Sequence, residues 1–307
     1  MITVRQLREL DVEPCGTAPG IRYVSAASGM VMIGKLLYVI ADDELHLGVF
    51  DSTTSAPGRR IRLMSGELPD SPRERKAMKP DFEALVRLPA FEGYRFGALL
   101  ALPSGSRPNR RTGVAWALDA DDRLGGEPRQ FDLTRFYAKL EESITGLNIE
   151  GAVVLGKQLV LLHRGGKMQP QSALAYLSLP ELQAAISADG QVAETPTIEV
   201  RFLHLGQIAG ATLAFTDGAA LPDGRIVFSA VAENTEDSYL DGPCVGAAIG
   251  ILGPDGDVQR LERLEPVEKI EGIHVKHGIE PLEILLVTDA DDAAVPAKLL
   301  TALLPTL

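Results

Sequence analysis

The sequence predicts an all-β chain made of five repeats of four strands, and three observations predict it. Apolar runs of about five or six residues recur throughout the 307 residues, and helical periodicity is confined to the short stretches 132–140 and 180–187. The 30 glycines and 20 prolines are scattered rather than clustered, as short strands separated by turns require. An opening of one polar residue, a small residue and an apolar run recurs at Ser28, Glu83, Glu150, Asp217 and Glu271, with spacings of 55, 67, 67 and 54 residues.

Each opening begins a unit. The first unit continues with apolar runs at 36–40, 45–50 and 60–64, the second at 97–102, 113–118 and 129–133, and the third at 158–162, 173–177 and 197–202. The fourth follows with 225–229, 246–252 and 258–264, and the fifth with 283–287 and 297–303. The last run of most units is the most polar, as an outermost strand should be. The fifth unit lacks a fourth strand at its C-terminal side, and residues 2–10 resemble the missing one. Pairing the two would close a ring and remove an open edge. Four strands per unit, repeated in a ring, is a β-propeller. The expectation is one domain over 1–307 with five blades, six being the alternative count.

Composition narrows the partners. Thirty basic against 42 acidic residues leave a formal charge of −12, which disfavours nucleic acid and anionic membranes and suits cations. Two cysteines, Cys15 and Cys244, cannot make a disulfide framework and are expected to be unlinked. There is no apolar window of about 18 residues and no apolar core at the start of the chain, so the expectation is a cytoplasmic protein without a membrane span. Phosphate-loop, nucleophile-elbow, His-Glu-x-x-His, Cys-x-x-Cys and Gly-x-Gly-x-x-Gly motifs are all absent.

In a propeller the first strand of each blade lines the channel, so Ser28, Glu83, Glu150, Asp217 and Glu271 should face one another near one mouth. Carboxylates converging on one axis repel unless protonated or shared by a cation. Oxygen ligands of this kind suit Ca2+, with Mg2+ second. The alternative is a set of carboxylates spread along the channel and solvated by water. The loop after each second strand opens at the same mouth. Blades two and three supply Arg107, Arg110, Arg111, His163, Arg164 and Lys167 there, while the others supply Asp42, Asp43, Glu233, Glu236, Asp237, Asp289 and Asp291. This predicts a mouth with a cationic and an anionic side. Arg107, Arg110, Arg111, Arg164, Lys167, Asp42 and Asp289 would bind a small anionic substrate or ligand, and His163 or Glu233 would transfer protons. The run 289–292 resembles part of a calcium loop but lacks its glycine and late glutamate.

The Ile-Glu-Gly openings at 149–151 and 270–272, with Leu-Leu-Val-Thr-Asp-Ala-Asp at 285–291, resemble the phytase-like, "esterase-like" propeller group. The five-unit layout is similar to the calcium-activated nucleotidase (apyrase) family. That resemblance implies a central Ca2+ held by Ser28, Glu83, Glu150 and Glu271, with Thr216 or Asp217 in the fourth blade. The opening at 81–84 departs from it, with Ala84 in place of glycine. The function expected is Ca2+-dependent hydrolysis of a phosphate ester or phosphoanhydride. A second expectation is a binding propeller with a structural ion and no turnover. A carboxylate-pair glycosidase fits less well, because only 5% of residues are aromatic, and lactone or carboxylic-ester chemistry would suit six blades better.

Overall fold

The structure is a computed structural model. It describes residues 1–14, 20, 22–166, 169–188, 196–234, 242–276 and 281–305. In chain order the strands begin with β1 (Ile2–Thr3) and β2 (Arg5–Glu9). Blade one is β3 (Ala27–Ile33), β4 (Leu36–Ala41), β5 (His46–Asp51) and β6 (Arg59–Arg62). Blade two is β7 (Phe82–Leu88), β8 (Ala98–Pro103), β9 (Thr112–Ala117) and β10 (Arg129–Asp132). Blade three is β11 (Ile149–Leu155), β12 (Gln158–His163), β13 (Ser172–Ser178) and β14 (Ile198–Leu203). Blade four has a two-residue strand, β15 (Gln207–Ile208), then β16 (Ala211–Ala220), β17 (Ile226–Glu233), β18 (Cys244–Leu252) and β19 (Val258–Glu265). Blade five is β20 (Ile270–Lys276), β21 (Leu282–Thr288) and β22 (Lys298–Leu304), completed by β2. The five inner strands β3, β7, β11, β16 and β20 neighbour one another in a closed ring. This is a five-bladed β-propeller, not a six-bladed one.

Burial explains the run compositions. The second strand of each blade is packed between two neighbouring blades and is buried on both faces, so Leu-Val-Leu-Leu in β12 reads as a continuous apolar run. Leu159 and Leu161 face blade two, whereas Val160 and Leu162 face blade four. Each pair of adjacent blades encloses its own apolar core in this way. The fourth strands form the rim, and β19 is exposed along most of its length. The two helix candidates form α2 (Thr134–Glu141) and α3 (Leu179–Ser187), which follow α1 (Pro72–Met78) in the chain. Phe136, Tyr137 and Leu140 of α2 are buried, as are Leu179, Leu182, Ala185 and Ile186 of α3. The sequence reading missed α1 because none of its residues is buried and it has no apolar stripe.

The N-terminal stretch closes the ring, but it does so as two strands. β2 pairs antiparallel with β22. β1 pairs parallel with β19 of blade four, Ile2 lying opposite Leu264. Val4 between them donates to the Glu265 carbonyl at 2.9 Å. Residues 1–10 therefore join blades four and five on their outer side.

The inner strands share one irregularity. A bulge interrupts the ladder to the second strand at Ser28, Glu83, Glu150, Thr216 and Glu271. In three blades a glycine follows, because inner strands approach too closely for a side chain. A Cβ on Gly29 would lie 2.7 Å from the Glu83 carbonyl oxygen and 3.0 Å from the Leu85 nitrogen. Both obstacles are backbone, which cannot rotate away. Gly29→Ala should therefore cost about 1–3 kcal/mol, whereas Ala84→Gly, at the equivalent position in blade two, should cost about 0.5–1 kcal/mol. Urea denaturation of the two variants checks this; equal losses would contradict the close approach.

Candidate functional site

The five bulges place one polar residue per blade around the axis. The strand period of two then places the residue two positions earlier on the same side: Ala26, Asp81, Asn148, Ala214 and Lys269. Opposite them, the exits of the second strands donate back to these carbonyls: Asp42 to Ala26 at 3.3 Å, Ser104 to Asp81 at 2.9 Å, Arg164 to Asn148 at 2.9 Å and Asp289 to Lys269 at 3.2 Å. The mouth is thus built in repeated layers, and each blade fills them with different chemistry.

At the corner of blades one and two, carboxylate oxygens of Asp42, Asp81 and Glu83 all lie within 4.8 Å of one another. Lys79, just beyond α1, pairs with Asp42 and sits 2.9 Å from Asp81. Asp81 is 3% exposed and adopts a left-handed backbone with φ of 62°, a conformation Asp tolerates better than most residues. It also accepts from Arg110 Nη1 at 2.6 Å and from the Ser104 hydroxyl. Across the axis, Glu150 accepts from Asn148 Nδ2 and lies 3.8 Å from Arg164 Nη1. Arg164 Nη2 donates to Glu233. Lys269 Nζ lies 3.3 Å from Glu233, 3.4 Å from Glu271 and 2.6 Å from Asp291.

Around this mouth stand the carboxylates of Asp42, Asp81, Glu83, Glu150, Glu233, Glu271, Asp289 and Asp291, against the cations of Lys79, Arg110, Arg164 and Lys269. The negative excess is reflected in the titration. Burial, reinforced by Glu150, Asp81 and Asp42, holds Glu83 well above the usual carboxylate range. Burial outweighs Arg164 and pushes Glu150 up to about 8. Glu271 is raised by burial against the pull of Lys269, and Asp289 is pushed up to about 8 for the same reason. Burial disfavours the charge on Lys79 and Lys269, but their carboxylate neighbours prevail and hold both ammonium groups above their usual range.

Several expected site residues sit elsewhere. The fourth-blade bulge is Thr216, not Asp217: the small residue after the bulge in the other blades is replaced here by Asp. Asp217 is fully buried, its carboxylate accepting from the backbone of Gly218 at 2.8 Å and Ile273 at 3.0 Å. The Gly151 Cα leaves the space it occupies, since a Cβ there would lie 2.8 Å from the Asp217 Cα. Thr216 donates to the Ser229 hydroxyl at 2.9 Å. His163 is enclosed against the Asn148 backbone. It is 0% exposed, its Nδ1 lies 2.9 Å from the Asn148 carbonyl oxygen, and burial lowers its pKa to about 4.

The expected cationic side is not a separate face. Arg110 is spent on Asp81, Arg164 on Glu233 and Glu150, and Arg111 on Glu141 of α2. Arg107 is partly buried, and its carbonyl accepts from the Arg110 backbone at 2.9 Å. Lys167, Glu236 and Asp237 lie outside the described residues, as does Cys15. Ser28, Glu83, Glu150 and Glu271 occupy the bulge layer, with Asp42 and Asp289 one layer out. Glu233 reaches in from β17, its side chain only 4% exposed. Sequence reasoning missed Asp81, Asn148 and Lys269, although stepping back two residues from each opening would have found them. No local signal announces Lys79, which the chain between blades one and two delivers.

No curated protein matches the chain. Among solved structures it is similar to a luciferin-regenerating enzyme at 11% identity, covering 99% of this chain and 95% of that one, with a TM-score of 0.45. It is also similar to the extracellular domains 1–2 of Drosophila Semaphorin 1a at 9% identity, covering 93% and 76%, with a TM-score of 0.46. A third is a Penicillium chrysogenum α-L-arabinanase complexed with arabinobiose, at 10% identity, covering 87% and 79%, with a TM-score of 0.42. These likenesses concern the β-propeller fold, which hosts unrelated functions. The model of a family of unknown function, DUF6929, matches residues 23–304, and the chain belongs to that family.

Proposed function

We propose that the protein is a Ca2+-binding propeller that takes a small ligand at its axial mouth. The observation that carries this reading is the excess of buried carboxylates over cations around the axis. Such an excess must be met by protons or by a cation. Oxygen donors suit a hard ion: the carboxylates of Asp42, Asp81 and Glu83 lie within 4.8 Å of one another and would hold it, with Glu150, Glu271 and the Ser28 and Thr216 hydroxyls at the bulge positions of the other blades. Asp217 is left out of that set, because its oxygens serve backbone N–H groups.

Two roles are open to such a centre. In a phosphate-ester or phosphoanhydride hydrolase, the ion would neutralise substrate oxygens and polarise the bond to be broken. Glu233, beside the axis, would then be the proton acceptor in place of the enclosed His163. In a binding propeller the ion would be structural. The neutralisation of Arg110 and Arg164 by Asp81 and Glu233 favours the second role, because an anionic substrate would have to displace those carboxylates.

A thermal melt tests the cation. Without metal, Glu150 has a folded pKa near 8 against an ordinary value of 4.5. The folded state then holds the extra proton between those values, so its stabilising effect is complete below about 4.5 and lost as pH rises through 8. In EDTA the melting temperature should accordingly fall as pH rises across that window. Saturating Ca2+ at pH 7.5 should raise it, by about 2.7 kcal/mol of stability at a hundred times Kd, and Glu150→Gln should remove most of that gain. An unchanged melt with Ca2+ and with Mg2+ would refute the cation site. Turnover of a phosphate-ester panel only with Ca2+ present would select the hydrolase role.

A further inference from the structure

The link between blades one and two runs along the mouth as a strap. Residues 64–79, which include α1, contain no buried side chain, whereas Leu63 and Pro80 at its two ends are buried. Polar contacts fasten it to the second-strand exits of both blades. Arg75 lies 3.5 Å from Asp43 and 3.7 Å from Glu44. Asn109 Nδ2 donates to the Ala77 carbonyl at 3.1 Å, and Arg110 Nη2 donates to the Lys76 carbonyl at 2.9 Å. Lys79 anchors the inner end by pairing with Asp42 and Asp81. A segment without buried apolar contacts belongs to the low-stability end of a fold and opens before the ring does.

The Lys79 anchor puts a cation of the protein itself among the oxygens that would hold a metal ion. Asp42, Asp81 and Glu83 lie within 4.8 Å of one another, and the Lys79 ammonium acts on all three. Asp81 Oδ2 already accepts from Ser104 and Arg110, so an incoming ion competes with Lys79 for Oδ1. A divalent ion bonded to these oxygens at about 2.3–2.6 Å would stand within about 5 Å of an ammonium bonded to the same groups, where like charges repel strongly. The two cations therefore exclude each other. Arg110, which joins Asp81 to the strap, would face the same repulsion. Once unfastened, the seven residues of α1 are too few to stay helical alone. We propose that Lys79 is a tethered competitor of the axial cation, and that a divalent ion entering the Asp42, Asp81 and Glu83 triad expels it and releases the strap from the mouth. The inference rests on the cation reading above and adds to it a device that couples ion binding to access at this corner.

The test combines hydrogen exchange with calorimetric Ca2+ titration of the full chain, first stripped of metal. The backbone amides of Arg75 and Lys79 donate to the Ser71 and Arg75 carbonyls and report on the strap. Saturating Ca2+ should speed their exchange at least tenfold while the blade ladders exchange no faster. Lys79→Met should bind Ca2+ at least tenfold more tightly than the wild type, since coupling between exclusive ligands is reciprocal. Removing a lysine also removes a repelling charge, so a neutral variant is needed. Asn109→Ala loosens the strap without changing any charge and should tighten Ca2+ binding about two- to fivefold. Ca2+ binding with unchanged exchange at Arg75 and Lys79, or with wild-type affinity in Asn109→Ala, overturns the strap and leaves the cation reading standing. Absence of Ca2+ binding in both the wild type and Lys79→Met overturns the cation reading and the strap with it. If Lys79→Met fails to fold, wild-type exchange and Asn109→Ala decide.

Discussion

Deleting residues 1–10 is expected to abolish the cooperative thermal transition. Ile2, Val4 and Leu10 are buried in the cores of blades four, five and one, and each contributes about 1.5–3 kcal/mol by burial. Their sum approaches the whole stability of a typical folded protein, about 5–15 kcal/mol. The deletion also strips the ladder from β22 and exposes an edge that invites pairing between molecules. Leu7→Ala serves as the control, since Leu7 points outward and should change stability by no more than about 0.5 kcal/mol. Circular dichroism melts and light scattering on both variants would decide. A truncated chain melting within a few degrees of the full one would show that the apolar interfaces close the ring without the strand.

Asp81→Ala should be the most damaging point substitution at the mouth, at about 3–5 kcal/mol. It leaves Arg110 without its carboxylate and Lys79 with Asp42 alone in a poorly hydrated site, and it removes the acceptor of the Ser104 hydroxyl. Alanine also suits the left-handed backbone less well than Asp. Asp81→Asn should lose less, since it keeps the backbone preference and an acceptor oxygen. If the loss comes from stranded charge, adding Lys79→Met to Asp81→Ala should cost less than the two changes summed. Urea denaturation of the four proteins measures this, and strict additivity would contradict the account. By comparison, loss of the exposed pair of Arg87 and Asp122 should cost about 0–1 kcal/mol.

Much of the fold was legible because it depends on short-range chemistry. The apolar runs marked second strands wherever both faces are covered, as in Ala98–Pro103. The polar fourth runs marked rims, as in Val258–Glu265. The Glu-Gly openings marked the bulges of blades three and five, because a Cβ there would clash. What the reading misjudged was non-local. The sequence offers Asp217 and Thr216 side by side in the fourth blade, and only strand register shows that Thr216 is the one that leaves the ladder. Whether His163 and the loop arginines are open to ligand depends on what the neighbouring blade places beside them, which no local pattern shows.

The sequence by itself determined that this chain is built from repeated four-strand units in a ring, and it led to the expectations of five blades, of closure by residues near its start and of acidic residues at the axis. Hydrophobic period, turn residues and unit spacing carry that information, because each acts within a few residues or repeats along the chain. Only the tertiary structure decided which charges neutralise which. Lys79 and Asp42 are far apart in sequence, as are Arg164 and Glu233, and meet only when the blades close. The strength of a charge interaction follows distance and burial, and folding alone sets both.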